Sequence, residues 1–171
     1  QMLDKLNSNN SQNEFYLTDI VSHAHSSGFV VKSVLIDDHK EVMGVNDRLQ
    51  LSICEAEMQN RLVKSFLRDG VTFINPQQVH IDIDVTIAKD VTIGPNVQLL
   101  GRTEIGEDVT IEGMSVIKNS VIGAKTNIFA FCHIEQAKVS ELASVGPYAR
   151  LRPQAQLKQR AKVGNFVEVK K

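Results

Sequence analysis

The chain has 171 residues, of which 42% are hydrophobic and 5% aromatic, and its formal net charge is -1. A chain so close to neutral gives no reason to expect nucleic acid or an anionic membrane surface as its main partner. No apolar run approaches the about 20 residues of a membrane span, and Cys54 and Cys132 lie in unrelated segments, which favours buried free thiols over a disulfide framework or a zinc site.

The first 48 residues contain no repeat. Their pattern predicts a helix over 14–28, a buried strand over 29–36 and a second short strand over 41–45. A segment of this length cannot bury a useful core by itself. We therefore predict that it is the end of an α/β domain whose earlier elements are not in this sequence.

A long amphipathic helix is predicted next, over 46–70. Asp47 followed three residues later by Gln50 is typical of a capping box, and Gly70 is typical of a helix end. Its apolar face is predicted to hold Leu49, Ile53, Ala56, Leu62 and Phe66. Such a helix is well suited to connect two domains.

From residue 81 onward an aliphatic side chain recurs every sixth residue, with two steps of five. The series is Ile81, Ile87, Ile93, Leu99, Ile105, Ile111, Ile117, Ile122, Ile128, Ile134, Val139, Val145, Leu151, Leu157, Val163 and Val169. A fixed period of this kind indicates a solenoid, here three short walls closing a triangular coil of about 18 residues. Five of these residues are followed by glycine, which we expect to supply unusual backbone angles at the corners.

Two cations are separated by one full coil. Arg152 follows Leu151 and Lys170 follows Val169, so they are predicted to lie at the same corner of adjacent coils. Two such charges about 5 Å apart repel by roughly 1 kcal/mol even in water, and a bound phosphate would reverse that cost. The spacing also allows ordinary ion pairs, Arg152 with Glu135 and Arg150 with Glu168, and it does not decide between the two interpretations.

The motifs "NEFYLTDIV", "VMGVNDRLQL", "GPYARLRP" and "VGNFVEVKK" occur in this order along the chain. In this combination the chain resembles bacterial bifunctional enzymes that join an N-acetylglucosamine-1-phosphate uridyltransferase to a glucosamine-1-phosphate N-acetyltransferase. The resemblance implies a mainly β fold, a left-handed parallel β-helix preceded by a long linker helix and the C-terminal remnant of an α/β nucleotidyltransferase domain. The implied boundaries are 1–48 for the uridyltransferase end, 49–69 for the linker helix and 70–171 for the start of the acetyltransferase domain.

The same resemblance assigns roles to three residues. It implies that Asn46 binds Mg²⁺ and UDP-N-acetylglucosamine; an asparagine there can also cap the helix, and the two roles can coexist. It implies that Arg152 and Lys170 bind the sugar phosphate of the acetyltransferase site. The family's catalytic histidine lies beyond Lys171, so no catalytic residue is expected in this chain, and His133 is interpreted as a surface or packing residue.

The resemblance also implies the partners. They are UTP, N-acetylglucosamine-1-phosphate, glucosamine-1-phosphate and acetyl-CoA as co-substrate, in a homotrimer in the bacterial cytoplasm that serves peptidoglycan and lipopolysaccharide synthesis. We expect the chain to be a fragment that catalyses neither reaction alone. Two alternatives remain: another sugar-1-phosphate nucleotidyltransferase with a β-helical regulatory or oligomerising tail, and a non-catalytic hexapeptide scaffold.

Overall fold

The structure, a computed structural model, describes residues 2–171 and divides into two compact units, one ending at Met43 and the other running from Gly44 to Lys171. None of the helices among the described residues is both long enough and apolar enough to cross a membrane.

Over residues 2–43, the described part of the first unit contains one α-helix, α1 (Asp19–Ser26), and two 3-10 turns, Leu3–Lys5 and His39–Val42. The helix is shorter than predicted, and the strands predicted over 29–36 and 41–45 are wrong, because no strand occurs among residues 2–43 as described. A β-branched run becomes a strand only when a neighbouring strand takes up its backbone hydrogen bonds. That partner is absent within the unit, and Val30, Val34 and Leu35 are almost fully exposed.

The second unit begins with α2 (Arg48–Arg68). The predicted capping residues are confirmed: the Asp47 carboxylate accepts a hydrogen bond from the Gln50 N–H at 2.7 Å, and Gly70 just after the helix has a φ of 92°. The predicted apolar face is confirmed only in part, because Phe66 packs on the core whereas Leu49 and Ile53 are exposed. The buried residue of α2 is Val63, which was not among those predicted.

The side chain of Gln59 hydrogen-bonds α2 to the first coil of the solenoid. The Gln59 side chain donates from Nε2 to the Ile81 carbonyl and accepts at Oε1 from the Ile81 N–H, both at 3.0 Å. In a continuing parallel sheet, two residues of a preceding strand would supply this pair of bonds. The side chain therefore satisfies backbone groups at a strand edge that would otherwise lack a protein partner.

Among the residues that the structure describes, seventeen short strands, numbered in chain order, form the three walls of the solenoid, which we call walls A, B and C. Wall A is β1 (Thr72–Phe73), β4 (Thr92–Ile93), β7 (Thr110–Ile111), β10 (Asn127–Ile128), β13 (Ser144–Val145) and β16 (Lys162–Val163). Wall B is β2 (His80–Ile81), β5 (Gln98–Leu100), β8 (Val116–Lys118), β11 (His133–Glu135), β14 (Arg150–Leu151) and β17 (Glu168–Val169). Wall C is β3 (Thr86–Ile87), β6 (Glu104–Ile105), β9 (Val121–Ile122), β12 (Lys138–Val139) and β15 (Gln156–Leu157).

All strand pairs are parallel, and their register follows the sequence repeat. Leu151 lies opposite Val169, 18 residues on, while Ile117 lies opposite Ile134, 17 residues on, because a step of five intervenes. The predicted triangular coil is confirmed, and the fold is the left-handed parallel β-helix of about five turns.

The large aliphatic of each repeat points into the solenoid, and most of these side chains are fully buried. The small residue two places earlier is buried as well in every repeat before the last coil, where Ala161 is partly buried and Val167 is exposed. The buried set includes the hydroxyl-bearing residues Thr103, Ser115, Ser120 and Thr126. These hydroxyls hydrogen-bond backbone groups; for example, Ser115 Oγ donates to the Phe129 carbonyl and accepts from the Cys132 N–H, both at 3.2 Å. Among the described residues no buried side-chain polar atom lacks a partner.

The explanation predicted for the repeat glycines is wrong at most positions. Of those that follow an aliphatic, only Gly146 has a positive φ; the left-handed corner positions are held two residues later by side-chain-bearing residues such as Asn96 and Lys125. At Gly94, Gly106 and Gly123 the glycine is needed instead for close approach between coils. A Cβ on Gly123 would lie 2.6 Å from the Glu141 amide nitrogen, and a Cβ on Gly94 would lie 2.6 Å from the Gly113 nitrogen.

One corner carries a column of stacked aromatic rings, which we call the aromatic ladder: Phe131, Tyr148 and Phe166. Their ring centroids are 4.7 and 5.0 Å apart and their planes are nearly parallel. All three residues have positive φ and remain about half or more exposed. The ladder is thus an apolar edge that runs along the upper coils between walls A and B.

Both cysteines are free thiols, as predicted. Cys54 is only partly buried, whereas Cys132 is buried and its Sγ lies 3.5 Å from the Val145 carbonyl. Burial raises the pKa of the Cys132 thiol above its usual range, so Cys132 is a packing residue and not a nucleophile.

Candidate functional site

Arg152 and Lys170 each follow a strand of wall B, β14 and β17 respectively, at the same edge of the solenoid. The register pairs Leu151 with Val169, and the Arg152 N–H donates to the Val169 carbonyl at 3.0 Å. Both residues are the outward-facing neighbours of an inward aliphatic, so their side chains leave the wall on the same side. The structure therefore brings the two cations together, one coil apart.

A carboxylate lies between them. Arg152 Nη1 is 3.7 Å from Glu168 Oε1, and Lys170 Nζ is 3.5 Å from Glu168 Oε2. Neither ion pair considered from the sequence is formed, because Glu168 contacts Arg152 instead of Arg150, and Glu135 pairs with Lys118 at 3.6 Å. The sequence analysis considered Glu168 only as a partner of Arg150 and not as part of the site, although its place two residues before Lys170 already puts both side chains on the same face.

This arrangement can bind an anion. Two cations converge on a single carboxylate. The exposed fraction of the side chain is 46% for Arg152, 39% for Glu168 and 64% for Lys170. Ion pairs this exposed contribute about 0–1 kcal/mol each. A more highly charged anion can therefore replace the carboxylate at little cost, and the planar guanidinium can grip it through two N–H groups.

Asn46 lies just before α2, away from any group of carboxylates. Its backbone N–H donates to Gln50 Oε1 at 2.6 Å, and the N-cap position is held by Asp47. Among residues 2–171 there is no group of three or more histidine, cysteine or acidic side chains that could hold a metal ion. One amide oxygen is too few for Mg²⁺, which prefers several oxygen ligands, so these residues do not form a complete magnesium site.

The other concave features lie elsewhere. A groove of about 690 Å³ runs between α2 and the loop before β2, lined in part by Asn60, Lys64 and Pro76. It is at the first coil, several coils from Arg152, and brings no pair of cations together. His133 lies on wall B opposite Arg150 in the register and is exposed.

Comparisons with known proteins agree with the fold. Residues 84–119 match the family model described as bacterial transferase hexapeptide (six repeats). The bifunctional protein GlmU of Streptococcus thermophilus is 42% identical over 170 residues, and that of Geotalea uraniireducens is 42% identical over 169. The same protein of Listeria monocytogenes is 39% identical over 171 residues.

These alignments cover 99–100% of this chain and 37% of each relative, so the chain spans a little over a third of their length. Among solved structures, a mutant perosamine N-acetyltransferase from Caulobacter crescentus in complex with CoA and GDP-perosamine is 17% identical, with a TM-score of 0.44 over 67% of this chain and 53% of that one. Over the stretch that it spans, the chain belongs to the family of the bifunctional GlmU proteins, and its solenoid is built from bacterial transferase hexapeptide repeats.

Proposed function

We propose that this chain supplies the sugar-phosphate-binding part of an acetyltransferase that acts on glucosamine-1-phosphate with acetyl-CoA. The observation that supports this is the pair Arg152 and Lys170, one coil apart on one edge and already holding a carboxylate. A sugar phosphate carries about -1.5 to -2 at neutral pH. It would therefore be held more firmly between the two cations than the single negative charge of Glu168.

In the proposed reaction the amine of glucosamine-1-phosphate attacks the thioester carbonyl of acetyl-CoA. A C–N bond forms, the C–S bond breaks, and a general base takes the amine proton. The resemblance puts that base outside these 171 residues. The role of Arg152 and Lys170 is to fix the phosphate, and with it the position of the amine on the same ring, because orientation of reactants is itself a large part of catalysis.

The second proposed activity of the whole protein is transfer of a uridylyl group from UTP to N-acetylglucosamine-1-phosphate. Here Asn46 would bind the product UDP-N-acetylglucosamine and contribute one oxygen ligand to Mg²⁺, which supplies charge neutralisation at the phosphates when bound. The other ligands would have to come from outside the described residues. We propose the division 1–48, 49–69 and 70–171 for the uridyltransferase end, the linker and the acetyltransferase start, in a bacterial cytoplasmic enzyme of cell-wall precursor synthesis.

The 171 residues alone are expected to catalyse neither reaction, since the base and the acetyl-CoA contacts implied by the resemblance are not among them. The measurement is an acetyl-transfer assay with acetyl-CoA and glucosamine-1-phosphate, using a sample shown by mass spectrometry to end at Lys171. Turnover above the buffer rate that disappears in an Arg152→Ala variant would refute this expectation.

We further propose that the chain assembles as a homotrimer and that the aromatic ladder is buried on assembly, because exposed contiguous apolar patches mark association sites. Replacing Tyr148 by serine is expected to weaken association at least tenfold in sedimentation equilibrium. The matched control is Leu142→Ser, another exposed corner residue with the same positive φ in a different column. Equal masses for both variants and the unmodified protein would contradict the proposal.

The two alternatives predict different behaviour at Arg152. In a nucleotidyltransferase with a regulatory tail, or in a hexapeptide scaffold, the Arg152–Lys170 edge has no sugar phosphate to bind. In either case Arg152→Ala would leave the affinity for glucosamine-1-phosphate unchanged. The affinity measurement described in the Discussion therefore separates the proposed function from both.

A further inference from the structure

Arg150 is a cation beside the Arg152–Lys170 pair that the proposed function does not use. It lies on β14 directly opposite Glu168 of β17 in the parallel register. Its side chain is exposed, and among residues 2–171 no carboxylate is paired with it. The Glu168 carboxylate instead reaches diagonally to Arg152 and along its own strand to Lys170.

By register, the diagonal Glu168–Arg152 pair spans more of the sheet than the directly opposed Glu168–Arg150 pair would. Directly opposed residues on neighbouring strands lie closer together than diagonal ones, which are two positions apart along the strand. Glu168 thus turns away from the cation directly opposite it in the register and occupies the place between the two cations proposed for phosphate. In this arrangement one carboxylate neutralises part of two positive charges.

A bound phosphate group would change which cation the Glu168 carboxylate pairs with. A carboxylate left between Arg152 and Lys170 would stand beside a group of the same sign and repel it. The other carboxylate on this part of wall B, Glu135, is already paired with Lys118. His133, on the far side of Arg150 in the register, belongs to the preceding coil. Arg150 is therefore the cation that faces the displaced carboxylate directly.

We propose that Arg150 is a positioning residue that takes over the Glu168 carboxylate when a sugar phosphate binds between Arg152 and Lys170. This ion-pair exchange deepens the proposed function and rests on it. Arg150 itself does not touch the phosphate. Its effect on affinity passes through Glu168, and this distinguishes it from a third phosphate ligand.

A double-mutant cycle tests the exchange, with the affinity for glucosamine-1-phosphate measured by ³¹P NMR titration on the 171-residue chain. Arg150→Ala is expected to weaken binding about tenfold, and Arg150→Lys to restore most of the loss. In a Glu168→Gln background the same Arg150→Ala change is expected to have no effect, because no charged carboxylate remains to be displaced. Lys162→Ala, an exposed cation on wall A, controls for loss of one positive charge.

Two results would overturn the proposal. An equal loss of affinity from Arg150→Ala in both backgrounds would mean that Arg150 contacts the phosphate directly. No loss in either background would mean that Arg150 plays no part. Arg152→Ala tests the proposed function separately: if it leaves binding intact, the phosphate site itself is wrong, whereas if it abolishes binding, only the cycle decides the role of Arg150. Melting temperatures of all variants show whether the fold is kept.

Discussion

Replacing Gly123 by alanine is expected to destabilise the solenoid by about 3 kcal/mol, which for a chain of this size lowers the melting temperature by roughly 6–12 °C. The added Cβ would lie 2.6 Å from the Glu141 nitrogen and 2.8 Å from the Ser140 carbonyl carbon. Both are backbone atoms of the next coil. They can move only if the hydrogen bond from the Gly123 N–H to the Val139 carbonyl, 2.7 Å long, is distorted.

Gly164→Ala is the matched control. Gly164 holds the same place in its repeat, directly after an inward aliphatic, and has no atom within 4 Å of the position that a Cβ would take. We expect Gly164→Ala to leave the free energy of unfolding unchanged, or to raise it by about 0.5 kcal/mol, because alanine reduces the conformational entropy of the unfolded state. If calorimetry gives both variants the same melting temperature, close approach between coils is not the reason for the glycine.

The second large effect is expected at the anion site. Arg152→Ala should weaken binding of glucosamine-1-phosphate roughly 30- to 150-fold, the equivalent of about 2–3 kcal/mol for charged hydrogen bonds to phosphate. Arg152→Lys should recover only part of the loss, since an ammonium group cannot grip two phosphate oxygens in the fixed geometry of a guanidinium.

Isothermal titration calorimetry at low salt measures this loss, with Arg102→Ala as the control. Arg102 is also an exposed arginine of the solenoid, but it belongs to an earlier coil, so its removal changes the net charge equally without touching the site. The proposed site is refuted if Arg102→Ala and Arg152→Ala reduce the affinity to the same extent, because the effect is then one of overall charge.

The six-residue repeat made the solenoid predictable from the sequence. The two steps of five in the repeat also predicted which coils are one residue shorter. One aliphatic per wall is enough to fix which residue faces inward, and the parallel register then follows, including the proximity of Arg152 and Lys170. The first 43 residues were harder to predict. A run such as 29–36 has the composition of a strand, but a strand depends on partners that local sequence does not reveal.

Two finer features could not be predicted from the sequence, and in each case the reason is physical. The role of Gly94 and Gly123 depends on the backbone of the next coil, and the period of the sequence does not show how closely that backbone approaches. The choice of Glu168 between Arg150 and Arg152 depends on side-chain torsions, since the register offers both cations. Spacing alone places charges on an edge and leaves their pairing open.

The most direct test of the anion site is a crystal structure of the protein with glucosamine-1-phosphate bound. We expect density for the phosphoryl group between the Arg152 guanidinium and the Lys170 ammonium, with its oxygens about 2.7–3.2 Å from both. We also expect that the Glu168 carboxylate has left that position. A phosphate bound elsewhere on the solenoid, or an occupied sugar site with Glu168 still between the two cations, would contradict it.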